Sequence, residues 1–174
     1  AMVQRVTGQN IRDYLMPRLF EPLGIPKPYW DCCPQGVCCG GWGLHLSSDS
    51  ILRFGICLLQ NGVWQGRQVL PVEWLKLATA KQIDNSNGDP EPENEWHQGY
   101  GYQFWMTRQG GFLFNGMGGQ FGLCLPDKDL AIVTTGYEQL NERGRNEIFR
   151  ALWRELYPFL SDAPLPADPE AAAR

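Results

Sequence analysis

The sequence predicts an α+β fold: an antiparallel β-meander of about four strands covered by a C-terminal helix, with helices preceding it. Three observations predict this class. In roughly the first eighty residues, apolar side chains recur at three- and four-residue spacing, the period of a helix with one buried face. Between Tyr100 and Thr135 that spacing gives way to short β-favouring runs separated by Gly, Pro and Asp. Beyond them, Glu142 to about Tyr157 is one long amphipathic pattern, the natural cover for an apolar sheet face.

Each element has its own signals. Thr7 is read as an N-cap, with Gly8 and Asn10 in the first turn of a helix whose buried side carries Ile11, Tyr14, Leu15 and Leu19. Pro22 and Gly24 end it, and the Pro/Gly/Cys-rich stretch 25–43 reads as loop. Ser47 caps a second helix with Ile51, Leu52, Ile56 and Leu59 as its inner face, and Asn61-Gly62 stops it. A turn around Gln65-Gly66 follows, and Pro71 suits the start of a third helix, Val72 to about Ala80. Residues 82–98 are polar and aperiodic, a surface loop in which Asp89, Glu91, Glu93 and Glu95 read as a solvated acidic run. The strands are expected at Tyr100 to Met106, Gly111 to Asn115, Gln120 to Leu125 and Leu130 to Thr135, with Pro126 to Asp129 as a tight turn. On the last helix, Ile148, Leu152 and Leu156 share a face with Phe149 and Trp153 beside it, and Pro158 closes it.

Composition narrows the function classes. The chain has 174 residues, 43% of them apolar, enough for one domain with a buried core. A formal charge of −4, without any Lys/Arg-rich run, removes the electrostatic basis for nucleic-acid binding. No apolar stretch approaches the roughly 20 residues that span a bilayer, so no transmembrane segment is expected. Ala1-Met2 reads as the remnant of a cleaved tag, 3–160 as the folded part, and 161–174 as a disordered tail.

Six cysteines are present. Cys32, Cys33, Cys38 and Cys39 lie in the loop CCPQGVCC, where reduced thiols, an internal disulfide and a metal site are the alternatives. Two vicinal pairs fit poorly with the CxxC spacing of zinc sites, so neither metal nor cofactor is expected. Cys57 and Cys124 stand in apolar stretches and read as small core residues. His45 and His97, the two histidines, have no G-x-S-x-G elbow beside them and read as packing or exposed residues. The aromatics Trp96, Tyr100, Tyr102, Phe104 and Trp105 are expected to divide between core and a cleft.

Four segments, in order, resemble the β-lactamase and penicillin-binding-protein superfamily of serine hydrolases, in its class C and esterase-like branch. They are VTGQNIRDYLMPRLFEPLGI (Val6 to Ile25), GGWGLHLSSDSILRFGICLLQNGVWQGRQVLP (Gly40 to Pro71), GYGYQFW (Gly99 to Trp105) and FNGMGGQFGLCLPDKDLAIVTT (Phe114 to Thr135). The resemblance implies a partial β-lactamase/transpeptidase-like fold, the C-terminal part of such a domain. It also implies a nucleophile in Ser-x-x-Lys and a second motif, Tyr-x-Asn or Ser-x-Asn, ahead of Val3. Ser-x-x-Lys does not occur in this sequence, so no catalytic residue is assigned and the chain alone is expected to be inactive.

What the resemblance places here is the third-motif strand, Lys/His-Thr/Ser-Gly. Phe114 falls on the Lys/His, Asn115 on the Thr/Ser and Gly116 on the glycine, with the Met117 N–H as an oxyanion donor. Acyl transfer needs such a strand because two N–H donors stabilise the developing oxyanion, and a Cβ at the glycine would block the substrate. By themselves, Gly116, Gly118 and Gly119 also fit a turn or bulge between two strands. Phe114 departs from the motif: it cannot bind a substrate carboxylate as a cation would, which favours a neutral ester, amide or peptide over a β-lactam. Ser50 stands where the family has Asp, with Asp49 displaced by one position. A small-molecule acyl substrate is the implied ligand. A binding or interaction module reusing the fold without chemistry is the alternative. The family's last strand pairs with strands from the front of the domain, so an unpaired edge and self-association are expected.

Overall fold

The structure, a computed structural model, describes residues 1–86, 88, 93–137, 142–161 and 163, with the backbone alone for 142–145. Most of the expected tail, and Asp89 and Glu91 of the acidic run, lie outside the described residues. No described helix is long and apolar enough to cross a membrane.

The front of the chain builds one small core. Helix α1 (Met2–Thr7) is closed by Gly8 in the left-handed region, φ 72°. Helix α2 (Ile11–Leu15) is capped by Asn10, not by Thr7. The Asn10 side chain accepts the Asp13 N–H at 2.9 Å and donates to the Asp13 carboxylate at 2.7 Å. That reciprocal pair outcompetes Thr7, whose hydroxyl turns back to Val3 O at 2.7 Å. A widened π turn, Met16–Phe20, continues α2 and sends Phe20, Leu23 and Ile25 into a core with Trp30, Cys38 and Cys57. Strands β1 (Tyr29–Trp30) and β2 (Leu44–His45) pair across the cysteine loop.

Helix α3 (Ser48–Leu59) begins as expected: the Ser47 side chain accepts the Ser50 N–H. Its inner face differs from the expected one. Ser50, Gly55, Cys57 and Leu58 are buried, whereas Ile51, Leu52, Ile56 and Leu59 are half-buried. A helix gripped between a front core and a sheet buries two sides, so a single apolar stripe misreads it. Ser50 accordingly sits in the interior, with its Oγ 2.9 Å from Ser47 Oγ, while Asp49 faces out and pairs with Arg53 at 2.8 Å. Strands β3 (Val63–Trp64) and β4 (Arg67–Gln68) form a hairpin on Gln65 and Gly66, both at positive φ. Helix α4 (Val72–Ala78) follows Pro71.

The centre is the antiparallel sheet β5 (Trp105–Met106), β6 (Phe112–Gly116), β7 (Gln120–Leu125) and β8 (Leu130–Thr134), in that spatial order. The first strand is shorter than expected, because Gly101 and Tyr102 turn back to bond Phe104 O and Ala78 O. Both faces are covered. Leu113, Phe121, Leu123 and Leu125 pack with Phe149 of helix α5 (Glu142–Ala151). Phe112 and Cys124 pack with Leu58 of α3 and Leu75 of α4. Cys57 and Cys124 are fully buried, and burial pushes their thiols up to about 11 and about 12.

Two local features set this packing. Gly122 lies directly under the Phe114 ring, where a Cβ would come within 1.9 Å of Phe114 Cε2. Beyond α5 the chain widens into a π turn, Leu152–Leu156, closed by the Tyr157 N–H on Leu152 O. The extra residue in that turn rotates the stripe, so Trp153 and Tyr157 reach the sheet while Leu156, expected on the inner face, points outward.

A Gly122→Ala substitution is expected to cost about 1–3 kcal/mol in denaturant unfolding, through overpacking against Phe114. Because one contact causes the loss, the Phe114→Ala/Gly122→Ala double variant is expected to lose less than the sum of the two single losses, and simple additivity would refute the contact.

Candidate functional site

The four residues of the predicted motif are brought together at one end of β6, and each meets different surroundings. Strand alternation sends Phe114 toward α3 and Asn115 toward α5. The Phe114 ring is half-buried, edge-on to Phe54 at 5.6 Å and Phe104 at 6.3 Å. Its side chain is thus part of the packing between sheet and α3. Asn115 pairs across the ladder with Phe121, and its Oδ1 is buried with no hydrogen-bond partner among the described residues. Gly116 pairs with Gln120, and Met117 projects from the end of the strand, 75% exposed.

Met117 to Gly119 is the turn between β6 and β7, so the plain reading of Gly118 and Gly119 holds. Both have positive φ, 83° and 88°, which a side chain would strain. The turn is supported from three sides. Gln120 Nε2 donates to Met117 O at 2.7 Å, Thr134 Oγ1 donates to Gly119 O at 2.9 Å, and Gly136 lies so near Gly118 O that a Cβ would stand 2.8 Å from it. The Met117 carbonyl is therefore held by a side-chain amide, while its side chain stands in the open.

Other candidate residues occupy separate places. Trp96 is a core residue, with its ring against Trp105 and Phe149 and its indole N–H donating to Asn146 at 2.8 Å. Tyr100 meets Trp105 edge-on at 5.0 Å and Phe104 meets Phe112 at 5.6 Å. Tyr102 is exposed and stacks on Trp74 of α4. His45 lies 3.4 Å from Asp31 and edge-on to Tyr29, and the hydrogen bond that the Tyr29 phenol donates to the Asp31 carboxylate holds the phenol above its usual range. Among the described residues, no group of three or more His, Cys, Asp or Glu side chains is gathered as a metal site would require.

One residue corrects the sequence reading outright. Glu95, expected in a solvated acidic run, is 4% exposed. Its carboxylate takes the Arg108 N–H at 3.2 Å, the Arg108 guanidinium at 2.5 Å, and the Trp153 indole N–H. A cavity of ≈ 300 Å³ lies beside it, lined by Glu93, Asn94, Glu95, Arg108, Asn146 and Phe149 among others, apart from the Met117 turn. Only the distant partners Arg108 and Trp153 would have revealed this burial, and no local pattern links them to Glu95.

No family model matches the sequence, and no curated protein matches it. Solved structures do. The fold is shared, over a part of it, with solved β-lactamase- and penicillin-binding-protein-like structures. A candidate 6-aminohexanoate-dimer hydrolase from Bacillus anthracis superposes with a TM-score of 0.75 at 20% identity, over 94% of this chain and 42% of that one. Unliganded simvastatin synthase (LovD) from Aspergillus terreus gives 0.60 at 17% identity, over 85% and 49%. A penicillin-binding-protein homologue from Caulobacter crescentus gives 0.55 at 16% identity, over 78% and 49%. This chain thus spans about half the length of the solved chains it matches, or less.

The orphaned amide oxygen gives a direct test. Asn115→Leu, of similar shape and without the buried acceptor, is expected to raise stability by about 1 kcal/mol in denaturant melts. A loss of similar size would mean that Asn115 Oδ1 has a hydrogen-bond partner in the folded chain.

Proposed function

We propose that this chain is the C-terminal part of a β-lactamase-related serine hydrolase and forms one wall of its acyl-transfer cleft. The exposed, glycine-flanked end of β6 carries the reading. Gly116 lets a substrate carbonyl lie against the strand, and the Met117 N–H donates to the oxyanion that forms on attack. The Gln120 contact to Met117 O fixes the plane of the Met117–Gly118 peptide, and Gly119 is pinned to β8 through Thr134, so the turn is preorganised. On this reading, serine is the nucleophile and Lys and Tyr are the proton carriers, all supplied by sequence outside these residues; that the chain spans 42% of the solved hydrolase's length supports it. With Phe114 engaged in packing, no cation stands at the start of the motif, which favours a neutral ester, amide or peptide substrate.

The chain alone is accordingly expected to leave a chromogenic ester and a chromogenic β-lactam unchanged. Turnover above a boiled control would place a nucleophile within these residues and overturn the assignment. In a longer protein that carries Ser-x-x-Lys, Met117→Pro removes the donor and is expected to lower kcat by about 10² or more. A longer protein without Ser-x-x-Lys would instead favour a non-catalytic binding module.

The same reading accounts for β8. Among the described residues Leu130–Thr134 pairs only with β7, so its outer edge offers backbone groups without a strand partner there, between half-buried apolar side chains. In the whole domain that edge takes further strands. In this chain alone it is expected to drive self-association, and light scattering that gives a monomer across a wide concentration range would refute this.

A further inference from the structure

The cysteine loop is independent of the β6 turn and holds a second chemistry. Cys32 and Cys38 face each other across a short antiparallel bridge. The Cys33 N–H donates to Val37 O at 2.9 Å and the Cys39 N–H to Asp31 O at 2.8 Å, one bond on each side of the pair. Cys32 and Cys38 are thus a non-hydrogen-bonded pair, whose Cα atoms in such ladders stand about 4.5 Å apart with side chains on the same face. That separation falls inside the window of roughly 4.4–6.8 Å that a disulfide spans without backbone movement. The Cys32 thiol already points at the Cys38 sulfur, with Sγ to Sγ at 3.1 Å.

The other cysteines do not compete. Cys33 and Cys39 follow directly in the bridged strands, so alternation turns them to the opposite face. Cys124 is buried in another core, and Cys57, which shares the front core with Cys38, is fully buried with its thiol pushed up by that burial, so neither meets an oxidant. The turn at Gly36, φ 74°, with its N–H on Cys33 O at 2.8 Å, closes the hairpin before any covalent link forms. Trp30 fastens the base through its indole N–H on Cys39 O at 2.9 Å.

We propose that Cys32 and Cys38 form a reversible redox pair, oxidised by a small-molecule disulfide. Cys32 is exposed and Cys38 buried, so the oxidant meets Cys32 first. Its thiolate attacks one sulfur of the oxidant, forming a mixed disulfide and expelling one thiol. Cys38, having lost its proton to solvent, then attacks Cys32 Sγ and expels the second thiol. Two protein thiols become one disulfide, and the oxidant becomes two thiols. Because its hydrogen bond to Cys38 holds the Cys32 thiol up at about 11, the reaction is slow near neutral pH and quickens as pH rises.

The test exposes the intact chain to oxidised glutathione at about pH 8.5, then alkylates it and measures its mass. The expected product weighs about 2 Da less before alkylation and carries two fewer labels after it, and dithiothreitol reverses both. The Cys33→Ser/Cys39→Ser variant is expected to react in the same way. Cys32→Ser and Cys38→Ser are expected to form no loop disulfide, and Cys38→Ser to stop at one glutathione adduct. A reading of thermal unfolding should rise by roughly 5 °C on oxidation, as closure of so short a loop implies. The proposal fails if all four loop thiols remain alkylatable. It fails equally if Cys32→Ser oxidises as readily as the unaltered chain, which would put the bond elsewhere.

Discussion

The Phe114 ring, seated against Gly122, is the contact on which the rest of the molecule turns. It allows β6 and β7 to pair without a void at the sheet centre and presents an aromatic edge to Phe54 of α3. Helix α3 then approaches closely at Gly55, where a Cβ would stand 3.5 Å from Ala131 and Cys124 alike. Small residues on both sides bring helix and sheet together, and large ones at the margins fill the remaining space. Without that approach the front core and the sheet would have no common wall.

A sheet buried on both faces has few places left for chemistry. Its faces are occupied by α3 and α4 on one side and α5 on the other. What remains accessible are the end of β6 and the outer edge of β8, and the residues that resemble a hydrolase motif stand at the first of these. The arrangement is economical: rigid strands carry the turn, and contacts from Gln120 and Thr134 hold its carbonyls.

Local chemistry explains what could be read ahead of the structure. The β6, β7 and β8 boundaries follow from glycine, proline and aspartate at the turns, and Ser47 and Gln65-Gly66 act as their residue types demand. The fold itself was visible through segment order, and Phe114 to Met117 do share one strand end. The failures have one cause, which is tertiary competition. Asn10 displaces Thr7 because Asp13 answers it. A π turn carries Tyr157 to the inner side where Leu156 was expected. The inner face of α3 is set by two cores at once, and Glu95 is buried by partners 13 and 58 residues away.

Glu95 also binds the chain's parts into one cooperative unit. A desolvated carboxylate joins the connection after α4 to Arg108 at the foot of the sheet and to Trp153 beyond α5. Any opening that lifts the last helix away would strip the carboxylate of its indole donor and leave it on Arg108 alone. Fraying from that end is therefore penalised at its first step, and the helix, the long polar connection and the sheet open together rather than one by one.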